Sequence, residues 1–589
     1  MIKVPMLWAS GARKEVMELL RTLWTQADPQ TREALGVILC AGPPAELFTH
    51  LDAVEREESR DRRIFDRLVV LERLGNPPLT AALEVESVRL RATHPHWRAP
   101  DGERAHFDTW FEMSWGADTR YSVEDLQALD DPTLIKILIG EAEKREGLLD
   151  NWRQLGDAAP ARVITILEQL NRREPPAPVD VWDYGLSGMR ANAKQLEFGN
   201  RLVRLLQSLP DALFDQPMIS SAVADILDAV TNQPSPPLGE DFWQLFDRTL
   251  AAAALDLSNS DPPSDRHGWV TLALNQSMGR IAIAFFTALF ARNLTVGGGI
   301  PADMMSRLDA LLAREKVAHR SARVIAASRL SYLHAVDPAW TQANLIPNFD
   351  WTDEEEALAV WQGYAWHARI DRNLWSVLKP HFLAMFTLER LERLGDATRN
   401  FAQMLMLVGI EFGRDELPRE AVRNALRVMP EAMRVVAIAW VTSLIEEDDA
   451  DENPLVNMPL SRADRLWSDR IWPWLDRVWP PEPASQSEDT AERFALIAVA
   501  TDSRFPDAVQ KLRPYYMIMI GANYVVDQLN RSKHPDDHPR ETSELLDAIV
   551  NPSEIRLGGD ELRSIIQRIR KADPDFANRP AFRKWAIID

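Results

Sequence analysis

The feature that most constrains this chain is the spacing of its apolar residues. From Pro217 to Val230, the residues Met218, Ile219, Ala222, Val223, Ile226, Leu227 and Val230 recur three and four positions apart. That spacing draws one apolar stripe along a helix. Pro217 stands immediately before it, where a missing amide proton costs a helix little. The same period runs through Val163 to Leu170, Arg201 to Leu209, Met304 to Leu312, Phe401 to Ile410 and Leu562 to Ile569. No alternating run of β-branched residues stands beside an Asn-Gly or Asp-Gly turn, so strands are not expected. The 39 prolines cluster between the periodic stretches, as in PPAELF from Pro43, EPPAPVD from Glu174, PSPPLGE from Pro234 and DPPSD from Asp261. Proline there ends one helix and sets the entry of the next. Helices of ordinary length joined by short loops then number roughly 25–30.

With 589 residues the chain is too long for one core, which rarely grows beyond about 250–300 residues. It must be several domains or a repeat array. One pair of segments suggests a repeat. In PPAPVDVW the second proline, Pro176, precedes Trp182 by six residues, and in PPLGEDFW Pro237 precedes Trp243 by the same interval. The expected fold is therefore all-α, a degenerate helical-repeat (α-solenoid-like) array of helical hairpins. Boundaries are expected to give an N-terminal helical domain over 1–155, a repeat region with the Pro-Pro/Trp units over 156–350, a helical region over 351–455 and a C-terminal helical domain over 456–589. IEEDDADENP (Ile445 to Pro454) and PPEPASQSEDT (Pro480 to Thr490) read as loose connections. The 20 tryptophans are expected to act as wedges between helices, with one group at Trp340, Trp351, Trp361, Trp366 and Trp375 and another at Trp467, Trp472, Trp474 and Trp479.

Composition narrows the function classes. A net charge of −21 disfavours general nucleic-acid binding, which depends on Lys and Arg neutralising phosphates. The single cysteine, Cys40, allows neither an internal disulfide nor a cysteine zinc cage, and suits a reducing, cytoplasmic setting. The longest apolar run, IAIAFFTALFA between Arg280 and Arg292, is too short to span a bilayer and reads as a buried helix.

The residues offer little chemistry. Gly297, Gly298 and Gly299 are followed by no lysine, so they read as a turn and not as a phosphate loop. His534 and His538 flank Asp536 and Asp537, but Pro535 and Pro539 argue for a polar loop. His94, His96 and His106 form a second histidine group that could hold a metal, although HPHW reads more easily as a helix end before a packed tryptophan. There is no GxSxG elbow, and Cys40 lies in an apolar helix without the positive surroundings that activate a thiol. Asp353, Glu354, Glu355 and Glu356 read as the charged first turn of a helix. Arg314, Lys316, His319, Arg320 and Arg323 fall on one expected helix, with Lys316, Arg320 and Arg323 on one face. That face reads as solvated and ion-paired, with a phosphate or acidic partner as the rival. Arg563, Arg568, Arg570 and Lys571 form a weaker basic cluster. No catalytic, cofactor-binding or metal-ligating residue is expected.

Several segments, taken in order, resemble the long helical region that follows the effector and nucleotide-binding parts of large bacterial anti-phage defence proteins, among them sirtuin-like NADases and STAND-type sensors. They are GPPAELF (Gly42 to Phe48), THPHW (Thr93 to Trp97), HFDTW (His106 to Trp110), DPAWTQANLIPNFDW (Asp337 to Trp351), AVWQGYAW (Ala359 to Trp366), LKPHFL (Leu378 to Leu383), WPWLDRVWP (Trp472 to Pro480), FPDAV (Phe505 to Val509) and ADPDF (Ala572 to Phe576). The resemblance spans most of the chain through packing motifs. It implies a sensor or scaffold, without an enzymatic site of its own, whose partner is a protein: a separate or missing effector subunit, or a phage-derived trigger. No sirtuin-like or NTPase module is visible here, so no active-site residue carries over. An oligomer and a nucleic-acid ligand remain open, and no membrane is expected. The rival readings are a nucleic-acid-binding scaffold using the Lys316 to Arg323 face, and a metal-dependent enzyme with a non-standard site at the histidines.

Overall fold

A computed structural model describes residues 8, 13–44, 53–94, 97, 121–141, 146–232, 238–256, 268–413, 415–446, 460–550, 559–578, 582 and 585. Among them the chain is all-α, and the only extended pairing is a single bridge between Met519 and Val550. Both proposed loose connections meet this limit differently. Residues 447–459 lie outside the described residues. The segment from Pro480 is held: Gln486 donates to the carbonyls of Pro481 and Pro514, and Ser487 and Thr490 form a reciprocal cap on the helix Glu488–Val499.

The chain divides into two compact units, Met1–Ala117 and Asp118–Asp589. The first contains the helices Arg13–Gln26, Pro29–Ala41, Ala53–Leu74 and Ala81–Thr93, and buries Trp8, Trp24, Leu39, Ile64, Leu68 and Leu83 in a core of its own. Inside that unit Asp61 accepts two hydrogen bonds from Arg89, at 2.7 and 2.9 Å. Burial opposes ionisation of Asp61, but the Arg89 and His94 bonds and the neighbouring Arg60 charge hold its carboxyl below the usual range.

In the second unit, helical hairpins stack so that alternate helices fall into rows. One row runs Glu146–Ala158, Val179–Met189, Pro217–Thr231, Ser277–Phe290, Arg320–Ala327 and Glu354–Trp366, each helix packing on the next. It continues through Thr398–Leu407, Glu431–Glu446, Glu488–Val499, Asn523–Arg531 and Asp560–Ala572. Beside its first part lies a second row of Pro160–Asn171, Leu196–Gln207 and Glu240–Leu255. One continuous core reaches from Leu126 to Trp585. Packing crosses 155, 350 and 455 without a break, because each helix buries its apolar sides against neighbours in both directions along the row.

This sandwiched position explains why helix Pro217–Thr231 is buried more widely than its stripe predicts. Ser220 and Ala224 are buried along with Ile219, Val223, Ile226 and Leu227, while Met218 at the helix start is exposed. Close approach along the row requires small residues. A Cβ at Gly188 would lie 2.1 Å from the Arg153 carbonyl oxygen of the adjacent helix, and one at Gly363 would lie 2.3 Å from that of Val324. The Trp182 and Trp243 units do not occupy equivalent places. Trp182 lies on a helix of the first row and Trp243 on one of the second, and residues 233–237, which include Pro236 and Pro237, lie outside the described residues.

Most tryptophans in the two groups are buried wedges, including Trp361, Trp375, Trp467, Trp474 and Trp479. Trp366 departs from this, with 42% of its surface exposed. No single helix among the described residues is long and apolar enough to cross a membrane.

Candidate functional site

The acidic and basic runs noted in the sequence meet. Asp353 caps helix Glu354–Trp366 by accepting the amide of Glu356 at 3.1 Å. The three glutamates that follow grip four arginines from other hairpins. Glu356, 3% exposed, accepts Nε of Arg323 at 2.6 Å, Nη2 of Arg323 at 2.8 Å and Nε of Arg320 at 2.9 Å. Arg390 bonds to Glu354 through Nε at 3.1 Å, and Arg393 bonds to Glu355. Arg323 is 1% exposed and spends Nη1 on the carbonyls of Ala313 and Lys316. The guanidinium of Arg320 lies 5.0 Å from the Trp269 ring.

The expectation of a solvated basic face is therefore corrected. Arg320 and Arg323 are ion-paired and largely buried, whereas Arg314 and Lys316 are exposed, and Lys316 precedes a short 3-10 turn, Val317–His319, so it does not share a helix with Arg323. Arg320 and Arg323 on that face already share one carboxylate partner, Glu356. His319, on the same turn, is also buried. Its Nδ1 lies 3.0 Å from the Leu311 carbonyl, and burial pushes its pKa down.

The remaining candidates are held in packing roles. The three glycines form a turn, as expected, and its amides are occupied: Gly297 and Gly299 donate to the carbonyls of Ala335 and Val336, both with positive φ. His534 and Asp537 bound a four-residue helix, where a loop was expected, since Pro535 fits the first helical turn. The His534 ring stacks on Phe505 with centroids 3.9 Å apart, and its Nε2 lies 2.9 Å from the Val499 carbonyl. Burial lowers its pKa. Among the described residues no three His, Cys, Asp or Glu side chains converge as metal ligands. His96 and His106 lie outside the described residues. His94 stacks on Trp97 at 3.7 Å, as a helix end before a packed tryptophan should. Burial raises the pKa of Cys40, away from thiolate reactivity. In the C-terminal basic cluster Arg568 pairs with Asp536 and the carbonyls of Asn530 and Ser532, and Arg563 pairs with Asp560.

The structure adds a site that sequence inspection missed. Helices Pro160–Asn171 and Leu196–Gln207 enclose an open cleft of about 370 Å³, lined by Glu168, Asn171, Arg172, Arg201, Arg204 and Ser208. Glu168 takes a two-pronged bond from Arg201 at 2.7 and 2.8 Å, which holds its carboxyl below the usual range. Arg172 and Arg204 stand exposed at the cleft. The one available signal was spacing: Glu168 and Arg201 are 33 residues apart, as are Arg323 and Glu356.

On the first row, burial pushes the carboxyls of Asp183, Asp225 and Asp228 up. Asp225 has Arg280 at 2.7 Å, whereas Asp228 has Asn232 at 3.2 Å. A raised folded-state pKa means that this group opposes folding more as pH rises through the carboxylate range. Asp228→Asn should therefore raise the melting temperature at pH 7, with the gain vanishing near pH 3, where the aspartate is neutral in both states. Thermal melts across that range check it, and an equal or lower melting temperature for the variant at pH 7 would count against it.

No protein-family model matches this chain, and no curated protein sequence matches it.

Proposed function

We propose that this chain is a non-catalytic helical scaffold that recognises a protein partner. The observation that carries the reading is the polar cleft between helices Pro160–Asn171 and Leu196–Gln207, set in a stack of hairpins. Its arginines Arg172 and Arg204 are exposed beside Glu168, whose carboxylate is gripped by Arg201. Stacked repeats suit extended protein ligands, and arginines at an open cleft suit an acidic surface on the partner. The setting of anti-phage defence, with an effector or a phage-derived trigger as the partner, rests on the resemblance of the packing motifs. Cytoplasmic placement belongs to the same proposal.

The test is affinity capture from the native host, with and without phage infection, using the wild type and the double variant Arg172→Glu, Arg204→Glu. The wild type should recover one protein at near-equal amount, or a phage protein only after infection. The double variant should lose that protein about tenfold while melting as the wild type does, because both substituted side chains are exposed. Recovery of nucleic acid or a stoichiometric metal, with no protein, would overturn the reading. So would undiminished capture by the double variant.

A further inference from the structure

Helix Ala81–Thr93 has two opposite apolar sides. One is spent inside the first unit, where Leu83, Ser87 and Leu90 are buried. The other carries Ala81, Val85, Val88 and Ala92, all exposed. Val85 is 71% exposed and Val88 69%. Single exposed apolar residues are ordinary on a protein surface. A row of them is not. These four recur at intervals of four, three and four residues, the spacing at which one helix packs along another. A helix that met only water on this side would carry polar residues there.

The row is symmetric about the midpoint between Glu86 and Ser87. Ala81 and Ala92 lie equally far from that point, and so do Val85 and Val88. A two-fold axis through the midpoint lays the helix antiparallel on a copy of itself, a self-complementary contact. Each Val85 then meets the partner's Val88, and each Ala81 meets the partner's Ala92. The alanines let the backbones approach at both ends, and the valines fill the centre. Charge follows the same symmetry. Glu84 and Arg91 are both exposed, and a spacing of about two helical turns puts them on one flank of the row. Antiparallel packing sets each Glu84 beside the partner's Arg91, an attractive contact made twice. Arg91 reaches Glu72 within its own chain at 2.6 Å, but 50% of its side chain remains exposed. On the other flank Arg89 is already neutralised by Asp61 and Glu86.

We propose that this side of helix Ala81–Thr93 is the contact between two copies of the chain, related by a two-fold axis. One pair of helices about 20 Å long buries less than the roughly 1,600 Å² of a standard interface. The dimer is therefore weak, with a micromolar dissociation constant. It does not involve the cleft at Arg172 and Arg204, and either can fail without the other.

Sedimentation velocity of the full chain between about 1 and 100 µM tests it. The wild type should pass from monomer to dimer across that range. Val85→Glu should weaken dimerisation about tenfold or more, because it places a carboxylate in the seam. A second experiment fixes the register and avoids that charge. In a Cys40→Ser background, Val85→Cys protein mixed with tagged Val88→Cys protein should form the mixed disulfide about tenfold faster than either forms its own. A wild type that stays monomeric would overturn the proposal. If Val85→Glu lowered the melting temperature of that monomer, the row would be covered from within the chain. Undiminished dimerisation of Val85→Glu would also overturn it, as would equal rates for the mixed and the self disulfides.

Discussion

Replacing Glu356 with alanine should cost about 3–5 kcal/mol of stability, because it leaves two arginines buried without their carboxylate. Arg323 is 1% exposed and Glu356 3% exposed, so water cannot take over the pairing. The damage should be local at first. Glu356 ties the hairpin of Arg320–Ala327 to that of Glu354–Trp366, and the neighbouring glutamates tie the latter to Arg390 and Arg393. Hydrogen exchange should therefore rise most across residues 317–394, below the denaturant concentration that unfolds the whole chain. A paired replacement by apolar residues, Arg323→Met with Glu356→Leu, should recover part of the loss, though Arg320 remains to be solvated. If Glu356→Ala melts within about 1 kcal/mol of the wild type, the pair is not the clamp described here.

The second large effect is expected at Trp361. Its ring is fully buried and meets Phe349 at 4.9 Å and Phe401 at 5.3 Å, both edge to face. Phe382 lies at 6.0 Å, and the indole nitrogen donates to the Phe349 carbonyl at 3.2 Å. One side chain thus joins its own helix to three other segments of the stack. Trp361→Ala should cost about 3–5 kcal/mol, because the aromatic neighbours cannot all collapse into the space left behind. Trp361→Phe should retain part of the stability, as it restores most of the volume but not the hydrogen bond. Urea melts followed by circular dichroism would measure both. A Trp361→Ala variant as stable as Trp361→Phe would mean that the site closes around the missing ring.

Buried charge and buried indole make the same point about legibility. A helix start with acidic residues was readable at Asp353 to Glu356, and a basic segment was readable at Lys316 to Arg323. That they are partners was not, because local periodicity carries no information about which helix lies opposite. A regularity was nevertheless present. The ion pairs Arg162–Asp131, Arg201–Glu168, Arg323–Glu356, Arg390–Glu354 and Arg568–Asp536 all join residues 31 to 36 positions apart. That interval is one hairpin of the stack. It marks the repeat better than the Pro-Pro/Trp spacing, whose two tryptophans lie on different rows.

The cleft at Arg172 and Arg204 left one trace in the sequence, the 33-residue spacing of Glu168 and Arg201. It arises where side chains from separate helices converge. His534 shows the reverse case. Its spacing from His538 suggested ligands, but stacking on Phe505 and a backbone carbonyl occupy it.

The sequence by itself determined that this chain is helical and where its strongly periodic helices lie. Those properties depend on a 3.6-residue period and on the proline stops, both of which are local. Only the tertiary structure decided which arginines are neutralised inside the protein and which stay exposed. Charge pairing acts through space, over a few ångströms, between residues that the chain places a hairpin apart.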